Sequence, residues 1–151
     1  MSLRIGVAAD PAPCFALRKA VFVEEQGFDP AGEFDALDKD AEHLLAEEAG
    51  VPVGTARLIA EGETGRIGRI CVTRARRGTG LGAALVEAGV ARLAERGFAR
   101  IVLGAQVRAM GFYEKLGFTP CGAVYDDEGV PHREMERQLQ SGRPGGQPPE
   151  A

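Results

Sequence analysis

The 151-residue chain has the length of one domain that buries roughly two thirds of the surface its unfolded form exposes. A formal charge of -4 and a pI of about 5.3 argue against duplex nucleic acid as partner, and no stretch approaches the roughly 18 consecutive apolar residues of a membrane span. Cys14, Cys71 and Cys121 are odd in number, far apart and outside any CxxC pair, which argues against a disulfide framework or a zinc site and for reduced thiols.

In chain order, Leu3 to Ala8 reads as a strand and lacks the long apolar core of a secretory signal, so the cytoplasm is the expected compartment. Pro11 to Gln26 reads as a helix with Asp10 as N-cap and Gly27 as its stop. Asp29 to Asp40 is acidic and broken by Pro30 and Gly32, and reads as a loop or short helical turn. His43 to Glu48 and Val53 to Glu61 flank Gly50, Val51 and Pro52 as a β-hairpin, and Arg66 to Thr73 adds a third strand.

Gly80 to Arg96 changes to a helical period, apolar over so much of its circumference that it must be covered on more than one side. Arg100 to Gly104 reads as a buried strand and Val107 to Leu116 as a short helix closed by Gly117. Phe118 to Tyr125 and Pro131 to Leu139 read as strands joined through the turn Asp126 to Gly129. Residues 1–140 thus form a single expected domain, with 141–151, rich in Gly and Pro, as a disordered tail. The order βα, βββ, α, βα, ββ predicts an α/β (α+β) fold with a mixed sheet and helices on its faces.

The chemistry concentrates at Arg76, Arg77, Gly78, Thr79, Gly80, Leu81 and Gly82, between a strand and a helix. Helix openings present unpaired amides and the positive end of the dipole, and the glycines let the backbone approach a diphosphate closely. Arg74, Arg76 and Arg77 add charge-assisted donors. The alternative is a glycine-rich connection with solvated arginines. No GxxxxGK[ST] occurs, so the common NTPase loop is excluded. Gly78, Gly80 and Ala83 do satisfy GxGxx[GA], but the strand that should carry a ribose-binding acid ends in Gly104, Ala105 and Gln106.

At this point the chain resembles the GNAT superfamily of acyl-CoA-dependent N-acyltransferases, whose [QR]xxGx[GA] signature is met by Arg77, Gly80 and Gly82. Ala109, Phe112, Tyr113, Glu114, Lys115, Leu116, Gly117 and Phe118 look like the family's A..FYekLGF segment. The run Val21 to Gln26, Tyr125 before an acidic turn, and Pro131 with His132 resemble the ElaA-like branch. The resemblance implies a mostly antiparallel sheet of six to seven strands with a splay between two central ones. The pantetheine arm would enter that splay, and acetyl-CoA would serve as acyl donor, without a metal.

The cofactor-binding residues so implied are Ile70, Cys71, Val72, Arg77, Gly78, Thr79, Gly80, Leu81, Gly82, Gln106, Phe112 and Tyr113. Many superfamily members carry Asn where this chain has Gln106. The implied reaction is direct acetyl transfer to a primary amine of a small molecule or peptide in a ternary complex. The Val72 amide would meet the oxyanion and Tyr113 would protonate the departing thiolate. With a phenol near pKa 10 and a thiol near 8.5, that step is uphill by about 2 kcal/mol.

The amine must also lose a proton, to water or to Glu24, Glu25, Glu33, Asp35, Asp38, His43 or His132. For each carboxylate the plain account is a solvated surface group, and for each histidine a hydrogen-bonded strand residue. Cys71 adjoins the expected acyl site but is explained equally by a small buried thiol. A non-catalytic acyl-CoA sensor or interaction module is the alternative function. Expected partners are acetyl-CoA and an amine, with a homodimer admitted and neither nucleic acid nor membrane.

Overall fold

The computed structural model describes residues 3–30, 36–127 and 129–139. Glu33, Asp35 and the tail 141–151 lie outside the described residues. The described residues divide into two compact units, one within residues 3–59 and 67–89, the other within residues 60–66 and 90–139.

In the first unit, strand β1 (Leu3–Val7) pairs antiparallel with β2 (Glu42–Glu48), from Leu3↔Glu48 to Val7↔Leu44. β2 pairs antiparallel with β3 (Val51–Glu61), with a register shift between Ala46 and Glu47. The hairpin turns on Ala49 and Gly50, both at positive φ (53° and 83°), the twist that suits two-residue hairpins. Between β1 and β2, helix α1 (Ala12–Arg18) has Pro11 at its N-cap position, one residue later than the sequence predicts, and the Asp10 carboxylate just ahead of it accepts the Ala12 N–H at 3.0 Å.

The second half of that segment departs from expectation. Lys19–Glu25 winds as a π-helix, with the Gln26 N–H reaching the Val21 carbonyl at 3.0 Å, before Gly27 stops it at φ 78°. Leu17, Val21 and Cys71 form a buried cluster beneath it, flanked by Phe22 and Leu45. Cys71 comes from β4 (Thr64–Val72), whose residues Ile67 to Val72 belong to this unit.

β3 is buried on both faces from Val53 to Ile59. Helix α2 (Leu81–Glu95) lies close against it, and Gly54 is the reason it can. A Cβ there would sit 2.8 Å from Leu85 Cδ1 and 3.2 Å from the Cys71 carbonyl oxygen, inside contact distance for any other residue.

In the second unit, β5 (Arg100–Gln106) pairs parallel with the start of β4, Thr64–Arg66 facing Arg100–Val102. Its other edge pairs antiparallel with β8 (Val130–Gln138), from Arg100↔Gln138 to Gln106↔His132. Helix α3 (Met110–Glu114) follows β5 after one 3-10 turn. Ile101, Leu103, Phe118 and Met135 are buried, and an Arg66 fork donates to both oxygens of Glu134, at 3.0 and 2.6 Å.

The predicted strand Phe118 to Tyr125 is two strands, β6 (Thr119–Pro120) and β7 (Tyr125–Asp127), each antiparallel to β8. Gly122, at φ 130°, sits in the break. Among the described residues there are eight strands in the pairing order β1-β2-β3-β4-β5-β8-β6, with β7 also on β8. This is the mixed, mostly antiparallel α+β sheet that the sequence predicts. Among the described residues no helix is long and apolar enough to cross a membrane.

Candidate active site

The glycine loop joins the end of β4 to α2 within the first unit. A 3-10 turn at Arg74–Arg76 leads into Gly78 and Gly80, at φ 78° and 90°, where side-chain-bearing residues are strained. Thr79 Oγ1 donates to the Arg76 carbonyl at 2.5 Å, and the Ala84 N–H to the Gly80 carbonyl at 3.1 Å starts the helical ladder. The amides of Gly78, Thr79, Gly80, Leu81, Gly82 and Ala83 find no backbone acceptor among the described residues. Such a row of outward donors at a helix opening can hold a diphosphate.

Arg77 differs from its neighbours. Its N–H donates to the Arg74 carbonyl at 3.3 Å, and its side chain is turned back onto carboxylate and strand. Nε donates to the Val72 carbonyl at 3.1 Å, while Nη2 and Nη1 donate to Glu25 Oε1 and Oε2 at 2.6 and 3.3 Å. Arg74 donates to the same Glu25 through Nε and Nη2, at 3.2 and 2.7 Å, and Arg76 pairs with Glu48. Each of the three arginines expected at the ligand thus has a carboxylate partner, Glu25 for Arg74 and Arg77 and Glu48 for Arg76.

Ile70 and Val72 are half-buried and Cys71 is buried at the end of β4. The Thr73 N–H, donating to the Val53 carbonyl at 2.9 Å, ties that end to β3.

In the second unit, the parallel ladder stops at Arg66 and Val102, so β5 from Leu103 onward pairs with β8 alone among the described residues. Gln106 ends β5, and its side-chain oxygen accepts from Arg108 Nε at 2.8 Å. On α3, Phe112 is exposed and Tyr113 half-buried, the Tyr113 ring edge-on to Phe112 at 5.0 Å and to Phe118 at 6.3 Å. Burial pushes the Tyr113 phenol up to about 12. Against a thiol near 8.5, proton donation is then uphill by about 5 kcal/mol, more than an ordinary phenol implies.

The base candidates separate sharply. Hydrogen bonds from Arg77 and Arg74 hold the Glu25 carboxyl at about 2, too low to take a proton from an ammonium group. Asp38 is claimed by two buried guanidiniums, Arg18 Nη1 at 2.8 Å and Arg57 Nη1 at 3.0 Å on Oδ1. Burial opposes its ionisation, but these partners prevail and keep its carboxyl below the usual range. Both residues leave the set of candidate bases. Glu24 is exposed.

His43 Nε2 lies 2.9 Å from the Asp38 carbonyl, which can only accept, so in the neutral ring Nδ1 carries the lone pair. That nitrogen is buried and has no hydrogen-bond partner among the described residues, and the ring stands edge-on to Phe15 at 5.2 Å. His43 and Asp38 also line a cavity of about 580 Å³ with Val7, Phe15 and Lys39, to which no residue of the glycine loop contributes. His132 has the opposite arrangement. Nδ1 lies 2.8 Å from the Val130 carbonyl, leaving the lone pair on Nε2, and the ring stacks on Tyr125 at 5.8 Å. It faces Gln106 across the β5–β8 register. No group of three or more His, Cys, Asp and Glu side chains able to hold a metal ion occurs among the described residues.

Comparison with known proteins agrees on one family. The family model of the acetyltransferase (GNAT) domain matches residues 20–139. A Bacillus subtilis protein provisionally described as an acetyltransferase is 44% identical over 127 residues, covering 82% of this chain and 86% of the relative. ElaA of Escherichia coli is 33% identical over 129 residues, covering 82% and 84% of the two chains, and its crystal structure superposes with a TM-score of 0.79 over 91% and 99% of them, at 28% identity. An acyl-CoA N-acyltransferase from Pseudomonas aeruginosa gives a TM-score of 0.77 at 31% identity, covering 90% of this chain and 98% of that one.

Proposed function

The chain belongs to the acetyltransferase (GNAT) family, in its ElaA-like branch, and on that premise we propose that it moves an acetyl group from acetyl-CoA directly to a primary amine of a small molecule or peptide. The observation that carries the reading is the row of unpaired amides from Gly78 to Gly82 at the opening of α2, a cradle for the CoA diphosphate. The end of the β4–β5 ladder at Val102, past which β5 pairs only with β8 among the described residues, supports a pantetheine arm that hydrogen-bonds there in place of a strand.

In the proposed reaction the neutral amine attacks the thioester carbonyl and the Val72 N–H meets the oxyanion. His132 Nε2 takes the amine proton as the C–S bond breaks, and Tyr113 donates its proton to the departing sulfur. The uphill donation is eased because the same apolar surroundings that raise the phenol also raise the thiol. The products are an amide and CoA thiol, and solvent carries the proton from the His132 imidazolium to the Tyr113 phenolate, which resets both groups.

The test is thiol release from acetyl-CoA with a panel of amines. Amine-dependent release supports transfer. CoA binding without release under any amine would favour an acyl-CoA sensor, and no CoA binding would defeat both.

A further inference from the structure

Resting on the reading that Val72 lies beside the thioester, we infer that Glu25 is a positioning residue, which acts through Arg77 to fix the Val72–Thr73 peptide at the end of β4 and, through the shared Val72 Cα, the adjoining Val72 N–H that would meet the oxyanion. The planar Arg77 fork spans two acceptors at once, the Val72 carbonyl through Nε and the Glu25 carboxylate through both terminal nitrogens. A rigid guanidinium transmits position between such partners, which a flexible ammonium group does not.

The other end of the device is braced too. Arg74 holds Glu25 from the start of the 3-10 turn, so one carboxylate gathers residues 74 and 77 across the bend that leaves β4. On the opposite side the Thr73 N–H is tied to Val53. The Val72–Thr73 peptide is thus gripped by its N–H from β3 and by its carbonyl, through Arg77, from the π-wound segment. The hydrogen bonds that keep Glu25 ionised make it an anchor for arginine, and a poor proton acceptor. Arg77, occupied at its amide and its fork, is a brace in this arrangement and not a diphosphate ligand.

Glu25→Gln and Arg77→Lys test this together. Each is expected to lower kcat about 10-fold while KM for acetyl-CoA stays within about two-fold, as a misplaced catalytic group requires. The double variant should lose no more than the worse single one, because both break one bridge. Hydrogen exchange at the Thr73 amide should quicken in both variants, a readout that needs no activity.

A rise in KM alone for Arg77→Lys would make Arg77 a phosphate ligand and overturn the inference. So would unchanged kcat and exchange in Glu25→Gln. If the wild-type protein transfers no acetyl group, the functional reading fails, and the exchange data still decide whether the bridge holds the strand end. Should Glu25→Gln fail to fold, Arg77→Lys supplies the same comparison.

Discussion

Arg77 Nε donates to the carbonyl oxygen of Val72 at 3.1 Å, so the glycine loop folds back onto the strand from which it departs. The loop and the end of β4 are therefore one piece of structure, and a ligand held by the first is placed by the second. The consequences reach both the proposed chemistry and the stability of the first unit.

Replacing Tyr113 by Phe removes one oxygen from a ring packed between Phe112 and Phe118 and leaves the packing intact. Turnover should fall by about 10²-fold, with CoA affinity within about two-fold, when thiol release and equilibrium binding are compared. Because the phenol is held up at about 12, activity should show no loss from Tyr113 ionisation up to about pH 10.

His132→Ala should also lower turnover by about 10²-fold without weakening CoA binding. High concentrations of free imidazole should restore part of the loss. His43→Gln, by contrast, should act through stability, since its lone pair is shut away from substrate. Kinetics and thermal unfolding of the two variants separate these outcomes.

Gly80→Ala places a side chain at φ 90° and should cost about 1 to 2 kcal/mol of stability. CoA affinity should fall as well, because the strain is relieved by turning the amides that follow. Chemical denaturation with and without CoA measures both effects.

Gly54→Ala drives a methyl group to within 2.8 Å of Leu85 Cδ1 and 3.2 Å of the Cys71 carbonyl oxygen. Over-packing should destabilise the chain by about 1 to 3 kcal/mol, read from the denaturation midpoint at unchanged slope.

The Glu25 carboxyl is depressed from 4.5 to about 2 by Arg77 and Arg74. A depressed folded-state value means the stabilisation is present above about pH 4.5 and is lost as pH falls toward about 2. Glu25→Gln should flatten the acid-unfolding curve in that window and leave its slope above pH 5 unchanged. Stability measured by denaturant at a series of pH values checks the sign.

The glycine loop was legible in sequence because its glycines stand where backbone geometry demands them, at Gly78 and Gly80 between a strand and a helix. The fold was legible for a similar reason: periodicity and punctuation mark elements even when their ends shift. Charge was not legible in the same way. Arg74, Arg76 and Arg77 look like ligand donors in a linear text, and only folding brings Glu25 and Glu48 to them from 49 and 28 residues away. Asp38 was ambiguous likewise, its arginines arriving from α1 and β3. The strand break at Gly122 and the π winding of Lys19–Glu25 left no mark in apolar spacing, since both are tertiary adjustments of otherwise ordinary patterns.

The π winding of Lys19–Glu25 makes the aim of Glu25 a matter of counting. A π turn accommodates one more residue than an α turn, and each residue turns an α-helix by about 100°. Removing a single residue between Lys19 and Val23 would therefore let the segment relax to an α-helix with Glu25 at nearly the same bearing, whereas an added residue would swing it away from both arginines by about 100°. Insertions there should be far less tolerated than single deletions, a genetic signature separable from the demands of the buried cluster beneath it.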